Sequence, residues 1–365
     1  MTGSLTQTTR RRPANRGCTR WRVGSWNVRS LLEAEGGDIC TSRRLDEDGK
    51  GMLKKTVLML KELHKFRIEI AGVSETKWFD SNIYEEEGYT FLSSGRPLPK
   101  DGEHMQRGEG VGIVLGKRAT EAWTAAGKVW EPVSSRVMSA RLLVGGEGHK
   151  AQFVKFISVY APTFAAKQAV KERFFTELQS VLDHTADSDI LILVGDFNAR
   201  VGSCTNDDDR DIVGKFGVDQ RNEAGDNLVE FCALNGLRIM NTVFKKRDRL
   251  KHTWQHPGTK NWHCIDYVMF RQTQSRKCTN VEVKRSAECW SDHKLLAAEI
   301  RLRATRKYRQ LEQVPQKKLD VALLRSDTMD GCNARLAYEK ALATEWKESQ
   351  ILGQGVAYSA MEKGM

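Results

Sequence analysis

The stretch LILVGDFNAR, residues 191–200, predicts a buried β-strand that ends in polar residues. An aliphatic run that stops at a glycine, here Gly195, is typical of a buried strand entering a turn. Asp196 and Asn198 follow two positions apart, so both side chains face the same way. Strand ends of this kind often hold catalytic groups, because the sheet is rigid and the next loop is open to solvent. The alternative interpretation is a capping aspartate in an ordinary turn.

Other polar residues share this placement at the ends of predicted strands. Five of them lie at or beside a strand's end: Asn27, Glu75, Tyr160, Asp292 and His293. A sixth, Asp266, lies near a strand's start. Taken singly, they have ordinary explanations as turn residues, a helix cap, packing, or a Ser-Asp-His string that arises by chance. A common location in the sheets would instead make them one functional site.

The chemistry of these groups is that of phosphate ester hydrolysis. Glu75 and Asn27 carry hard oxygen ligands, which suit Mg²⁺ or Mn²⁺. Asp196 can orient and deprotonate a water molecule. His293, backed by Asp266, can be held in one orientation and can stabilise charge on a phosphoryl oxygen. The set therefore predicts metal-assisted hydrolysis.

The predicted elements favour an α/β fold with two sheets. A strand, a helix and a buried strand over 22–29, 52–66 and 68–74 form a βαβ-like start. One face of that helix is expected to carry Leu53, Val57, Leu60 and His64, with Thr56 and Leu63. Later strands outnumber the helices and are interrupted irregularly. A two-sheet arrangement therefore suits the pattern better than a doubly wound parallel sheet.

Charge divides the chain into three segments. Residues 1–20 are predicted to be a basic disordered tail, residues 21–301 the folded domain, and residues 302–365 a charged, partly helical tail. The net charge of +11 comes mostly from the ends, since residues 1–22 carry six arginines and no acid, and residues 301–365 contribute +4. The body is nearly neutral, so any phosphate-binding surface there must come from local arrangement or from a metal.

Cysteine usage and hydropathy bear on the redox compartment of the protein and on its association with membranes. The eight cysteines form no CxxC pair, which predicts free thiols in a reducing compartment. A zinc site built from His252, His256, His263 and Cys264 is the alternative, but its spacing fits no common zinc template. No apolar run is long enough for a transmembrane helix, and no secretory signal precedes the domain, so a membrane partner is not expected.

Six motifs carry a resemblance to a known family. They are SWNVR (25–29), SETKW (74–78), VYAPT (159–163), GDFNAR (195–200), IDYVMF (265–270) and SDH (291–293). Their order resembles that of endonuclease/exonuclease/phosphatase enzymes over roughly residues 21–301. Within that family they are most similar to the endonuclease domains of LINE-type retrotransposons.

The resemblance implies a four-layer α/β sandwich, with two mixed β-sheets flanked by helices, and Mg²⁺-dependent (or Mn²⁺-dependent) cleavage of phosphodiester bonds. Asn27 and Glu75 would hold the metal, and Asp292 would act at the metal or beside the histidine. The other roles implied are phosphate contact for Tyr160 and Thr253, water activation for Asp196, water or substrate positioning for Asn198, orientation of the histidine for Asp266, and phosphoryl stabilisation for His293.

Arg29 departs from part of the family pattern. It stands where abasic-site repair enzymes have an acidic residue, which removes one candidate ligand and argues against the repair branch. Arginine is compatible with the retrotransposon-like branch. Only about 64 residues follow Arg301, so the sequence predicts a nuclease domain without a reverse transcriptase.

The sequence leaves three functions open. The first is a metal-dependent DNA endonuclease, which the basic ends and the substrate would place in the nucleus, with the cytoplasm as a further location. The second is a nuclear nucleic-acid-binding or protein-binding module whose catalysis is dispensable. The third is hydrolysis of phosphomonoesters or lipid phosphates, since the family spans those substrates.

Overall fold

The computed structural model describes residues 18–31, 44–45, 51–52, 54–98, 108–146, 151–204 and 209–303. The two predicted tails lie outside these residues, except at positions 18–20 and 302–303. The domain boundaries therefore stay predictions.

One large sheet has seven strands. Its order, with strands numbered along the chain, is β16 (Cys278–Lys284), β17 (Leu295–Arg303), β1 (Cys18–Asn27), β4 (Ile70–Ser74), β7 (Val111–Leu115), β6 (Tyr89–Ser94) and β5 (Ser81–Glu86). Strands β1 and β4 are parallel, and the other neighbours are antiparallel.

The second large sheet has six strands. Its order is β12 (Leu237–Ile239), β15 (Asp266–Arg271), β11 (Ile190–Asp196), β10 (Gln152–Tyr160), β9 (Val137–Gly145) and β8 (Trp130–Ser134). Only β10 and β11 are parallel in this sheet. Two hairpins complete the described strands: β2 (Arg44–Leu45) with β3 (Gly51–Met52), and β13 (Trp254–Gln255) with β14 (Trp262–His263).

Helices cover the outer faces of both sheets. Buried residues of α1 (Lys55–Lys65) join the core outside the seven-stranded sheet, and those of α3 (Gln168–Asp183) and α4 (Glu223–Leu234) join the core outside the six-stranded sheet. A third core lies between the sheets and includes buried residues of α2 (Lys117–Ala125). The predicted four-layer α/β sandwich with two mixed sheets is confirmed.

Strand β11 shows why its sequence is apolar throughout. Ile192 and Val194 point into the core between the sheets, whereas Leu191 and Leu193 point towards α3 and α4. A strand covered on both faces is uniformly apolar rather than alternating. Gly195 ends the run because a Cβ there would lie 2.1 Å from the backbone oxygen of the neighbouring strand β10, so no larger residue fits.

Helix α1 differs from its prediction in start and in buried face. The helix begins at Lys55 rather than at residue 52. Its buried residues are Thr56, Met59, Leu60 and Leu63, whereas His64, which was expected on the buried face, is exposed. The face is set by the sheet beneath it, and a mixed apolar pattern of one helix fits two neighbouring stripes about equally well.

Several elements were not predicted from the sequence. They include α2, the edge strands β5 and β8, and the short 3₁₀ turns Met240–Thr242, Asp248–Leu250 and Gln272–Lys277. Within residues 251–255 only Trp254–Gln255 forms a strand. Five cysteines within the described residues carry free thiols, as predicted: Cys204, Cys232, Cys264, Cys278 and Cys289. No helix there combines the length and the hydrophobicity needed to cross a bilayer.

Candidate active site

The ends of five strands from both sheets meet at one place. Asn27, Tyr160 and Asp196 are the last residues of β1, β10 and β11, and Glu75 follows β4. Since β1 is parallel to β4 and β10 to β11, their carboxyl ends lie together. Strand β15 is antiparallel to β11, so its first residue, Asp266, pairs directly with Asp196.

Asn27 connects the two sheets through its side-chain amide. Its Nδ2 donates to Glu75 Oε1 at 2.7 Å and to Asp196 Oδ2 at 2.9 Å. Its Oδ1 accepts from the backbone N–H of Arg29 at 3.0 Å. The amide nitrogen therefore stands between two carboxylates. The amide oxygen would become a metal ligand only after the amide rotated.

Glu75 is held in a strained backbone conformation. Its φ is +53°, a left-handed value that costs free energy in a non-glycine residue and is common at functional sites. Its Oε1 also accepts a hydrogen bond from the Tyr160 hydroxyl at 3.0 Å. The half-buried carboxylate is thus fixed from both sheets by Asn27 and Tyr160.

Asp196 is buried and accepts hydrogen bonds on both oxygens. Oδ1 accepts from the backbone N–H of Asn198 at 2.9 Å, and Oδ2 accepts from Asn27. Burial and the charge of Asp266 raise the pKa of Asp196 to about 7, although His293 and these hydrogen bonds oppose the shift. A carboxylate with such a pKa is a suitable proton acceptor near neutral pH.

Asn198 lies beside Asp196 in a left-handed turn with φ of +49°. Its Nδ2 donates to the carbonyl oxygen of Ala161 at 2.9 Å, which ties the turn to the residue after β10. The amide of Asn198 is therefore fixed next to Asp196.

His293 forms a buried pair with Asp266. Its Nδ1 lies 2.9 Å from Asp266 Oδ2, and its Nε2 lies 3.8 Å from Asp196 Oδ2, too far for a direct hydrogen bond. Burial lowers the pKa of His293, but the charge and hydrogen bond of Asp266, with the charge of Asp196, raise it to about 9. The imidazole is therefore cationic at neutral pH.

Thr253 is buried away from solvent. Its Oγ1 accepts hydrogen bonds from the backbone N–H groups of Ile265 and Asp266 at 3.1 and 3.2 Å. A fully buried hydroxyl engaged in this way is placed to fix the start of β15. The geometry thus supports a positioning role for Thr253 in place of the expected phosphate contact.

Asp292 faces Arg29 and Trp254 rather than the other carboxylates. Its Oδ2 lies 3.4 Å from Arg29 Nη1 and 3.3 Å from Trp254 Nε1. The indole of Trp254 also packs beside the His293 ring, with centroids 6.1 Å apart. Of the two predicted roles of Asp292, this placement favours the one on the histidine side.

Two contributing residues had not been predicted. Trp254 follows Thr253 in the sequence and could have been noticed as an aromatic residue beside the site. Arg136 carries no such signal. Its guanidinium lies 5.2 Å from the ring centroid of Tyr160, and its Nη1 donates to the Tyr160 carbonyl at 3.1 Å. Arg136 therefore fixes Tyr160 from behind.

The donor set fits a hard divalent cation. Glu75, Asp196 and Asp266 bring three carboxylates close to the junction of the sheets, and Asp266 Oδ1 is buried without a partner in the described part of the chain. Oxygen-rich donors of this kind suit Mg²⁺ or Mn²⁺. The ligand atoms of Asp196, Asp266 and His293 also lie within 4.8 Å of one another. Within that trio the hydrogen bond between His293 Nδ1 and Asp266 Oδ2 engages two of the ligand atoms, so the remaining carboxylate oxygens are the candidate donors.

The alternative zinc site does not assemble. Within the described ranges, no group that includes His252, His256, His263 or Cys264 brings three ligand atoms together. His263 Nδ1 instead lies 3.0 Å from Asp219 Oδ1, and burial raises the pKa of the Cys264 thiol. A thiol that resists ionisation is a poor metal ligand.

Comparisons with known proteins agree with this fold. A family model described as endonuclease-reverse transcriptase matches residues 154–297. Craniofacial development protein 2 of Bos taurus is 32% identical over 282 residues, covering 77% of this chain and 41% of the relative. The same protein of Tragulus javanicus is 31% identical and is covered over 42% of its length. The chain thus spans about two fifths of these curated relatives.

A solved structure gives the same picture of the fold. The catalytic domain of Xenopus laevis APE2 is similar with a TM-score of 0.50 and 14% identity, over 78% of this chain and 94% of that domain. The predicted resemblance to the endonuclease/exonuclease/phosphatase family is therefore confirmed over residues 154–297, where the family model matches, and the similarity to the APE2 domain concerns the fold alone.

Proposed function

We propose that this chain is a divalent-metal-dependent DNA endonuclease that hydrolyses phosphodiester bonds, with Mg²⁺ (or Mn²⁺) as its cofactor. The observation that carries the proposal is the continuous hydrogen-bonded group around Asp196, which reaches Glu75 through Asn27 and lies beside the His293–Asp266 pair. DNA as the substrate is supported by the family model that matches residues 154–297, which is described as endonuclease-reverse transcriptase.

The metal would be held chiefly by Glu75. Asn27, a further predicted ligand, would join it with its amide rotated. Asp292, the third predicted ligand, faces Arg29 and Trp254 and would act on the histidine side. When bound, it would polarise a phosphoryl oxygen and offset the negative charge of the phosphate. The protein supplies rigidity here, because Tyr160 and Asn27 fix Glu75 before substrate arrives.

The chain's own groups would carry the proton and the charge. Asp196 would accept a proton from the attacking water, which Asn198 would help to position. His293, cationic and held by Asp266, would stabilise negative charge that develops on the phosphoryl oxygens. Tyr160 would contact the scissile phosphate with its hydroxyl, which lies on the same side as Glu75.

A plasmid-nicking assay tests this proposal. A supercoiled circle has no ends, so an exonuclease cannot act on it, whereas an endonuclease converts it to the nicked circle. The purified chain should nick the circle with Mg²⁺, and EDTA should stop the reaction. Asp196→Asn and His293→Gln should each lower the rate roughly 10²-fold to 10⁴-fold. Asp187→Asn is the matched control, because the side chain of Asp187 is fully exposed and lies at the opposite end of β11.

Nicking that persists in EDTA, or in Asp196→Asn, would show that the proposed site is not responsible. Metal-dependent release of phosphate from a small phosphomonoester at a comparable rate would favour the phosphatase alternative. Binding of DNA without any nicking would favour the non-catalytic module. A nuclear location belongs to the same proposal, supported by the six arginines in residues 1–22, and fluorescence imaging of the tagged chain tests it.

A further inference from the structure

Trp290 exposes a large aromatic side chain beside the candidate active site. Half of it, 50%, is accessible to solvent. It lies in the connection between β16 and β17, immediately before Ser291, Asp292 and His293. Its φ of +55° is a left-handed value, which is unfavourable for a bulky residue. An exposed indole on a strained backbone is costly for a protein that has no use for it.

The backbone of Trp290 is fixed from three directions. Its N–H donates to Glu288 Oε1 at 2.8 Å, and its carbonyl accepts from Lys55 Nζ at 3.2 Å. The next hydroxyl, Ser291 Oγ, donates to the carbonyl of Asn27 at 2.6 Å. Because its base is held in place relative to the site, the indole can contact a ligand with little further loss of conformational entropy.

Two cations lie beside the backbone of Trp290. Lys55 Nζ, which donates to the Trp290 carbonyl, also reaches the carbonyl of Arg29 at 3.3 Å. The side chain of Arg29 is 58% exposed, and its Nη1 lies 3.4 Å from Asp292 Oδ2. Burial chiefly lowers the pKa of Lys55, and the charges of Arg29 and Lys77 act in the same direction. The surface defined by Arg29, Lys55, Lys77 and Trp290, which we name the Trp290 surface, therefore offers cations to a phosphate backbone next to an exposed indole.

We propose that the Trp290 surface binds a base displaced from the helix of the DNA substrate, with Trp290 stacking on that base and the cations holding its neighbouring phosphates. The proposal rests on the proposed function and adds a substrate preference to it. In an intact duplex the base faces are covered by their neighbours, so an indole stacks most readily on a base that has left the helix. Aromatic stacking of this kind tolerates any base, because every base has a π-face.

The preference can be measured without catalysis. Fluorescence anisotropy in EDTA gives the Kd of the full chain for two short labelled duplexes, one fully paired and one with a single-base bulge. The wild type should bind the bulged duplex about 5-fold or more tightly. Trp290→Ala should bind both duplexes equally, and Trp290→Phe should keep part of the preference. Leu234→Ala is the control, since Leu234 is 81% exposed on α4 and should leave the preference unchanged.

Salt dependence separates stacking from charge. Trp290→Ala should leave the slope of log Kd against log salt unchanged, whereas Lys77→Ala should reduce it by about 1. An equal preference in wild type and Trp290→Ala would overturn the proposal, and so would a wild type that does not discriminate between the duplexes. Neither result would contradict the proposed function, because metal-dependent plasmid nicking is measured in a separate assay. A peptide that competes for the Trp290 surface while bulged DNA does not would assign it to a protein partner and overturn the proposal.

Discussion

Asn27 and Asp196 lie 169 positions apart in the sequence, yet Asn27 Nδ2 is 2.9 Å from Asp196 Oδ2 in the structure. The amide nitrogen that joins them also reaches Glu75, so one neutral donor partly offsets two negative groups. A carboxylate in its place would add a third negative charge to a buried cluster, at a cost that burial magnifies. An amide therefore suits this position when the cluster must fold before a cation binds.

Asp266→Asn should change the pH dependence of nicking. Asp266 raises the pKa of His293 through its charge and its hydrogen bond. Removing the charge should lower that pKa, so the alkaline limb, where the cationic imidazole is lost, should move to lower pH. The rate at neutral pH should fall roughly 100-fold. Nicking rates from about pH 6 to about pH 10, with Asp187→Asn as the control, test this, and an unmoved alkaline limb would contradict it.

Single residues of the site were predictable when they stood in short motifs. Asp196, Asn198 and His293 each follow or precede an apolar strand with polar neighbours close in sequence. Arg136 was not predictable, because its partner Tyr160 lies 24 positions away and an arginine in a turn has no distinguishing neighbours. Trp254 and the buried state of Thr253 depended on how the 251–255 segment folds against β15, which local sequence does not determine.

Helix α4 and the turn after β11 are joined by the side chain of Asn222. Asn222, the N-cap of α4, accepts with Oδ1 from Gly225 N–H at 3.0 Å and from Arg200 N–H at 2.9 Å. Its own N–H donates to the carbonyl of Arg200 at 3.1 Å. The cap therefore holds the start of a helix and the end of the GDFNAR segment together.

Asn222→Ala should destabilise the protein by about 1–2 kcal/mol, since it removes a helix cap and leaves the Arg200 N–H without its partner. Asn222→Asp keeps the acceptor oxygen and should retain most of the stability. Urea unfolding followed by circular dichroism gives both free energies of unfolding. Equal stability of Asn222→Ala and the wild type would show that the cap contributes little.

The two sheets are joined by charged side chains as well as by the core. Glu109, just before β7, accepts a hydrogen bond from Arg96 Nε at 2.9 Å. It also accepts one at 2.6 Å from Nη2 of Arg136, which lies in the turn between β8 and β9. Ser135 also donates to it. Burial alone would raise the pKa of Glu109, but these hydrogen bonds and the two arginine charges lower it to about 2.

This lowered pKa predicts a pH-dependent contribution to stability. The contribution should be fully present above about pH 4.5, the ordinary pKa of the group, and lost as pH falls towards 2. Glu109→Gln should therefore be less stable than the wild type by about 2 kcal/mol at pH 7, with the difference shrinking in acid. Urea unfolding at neutral and acidic pH measures it. A difference that stayed constant as pH fell would assign the loss to packing rather than to charge.

The layered architecture was more predictable than its individual helix faces. The uniformly apolar run before Gly195 could belong only to a strand covered on both sides, and the strand count favoured two sheets. The edge strand β5, SNIYEE, is mostly polar and exposed, so no strand could be predicted there. The buried face of α1 was predicted only in part, because its mixed apolar pattern fits two neighbouring stripes about equally well.

The pairing of β1 with β17 has a consequence for synthesis of the protein. The first described strand lies between the last one, β17, and β4, so the seven-stranded sheet stays incomplete until residue 303 has been made. Ser291 then reaches Asn27 across 264 positions. A partly synthesised chain has no assembled site, and such long-range pairing is slow to form. We therefore expect the proposed nicking activity to appear in one step, only after translation has passed β17.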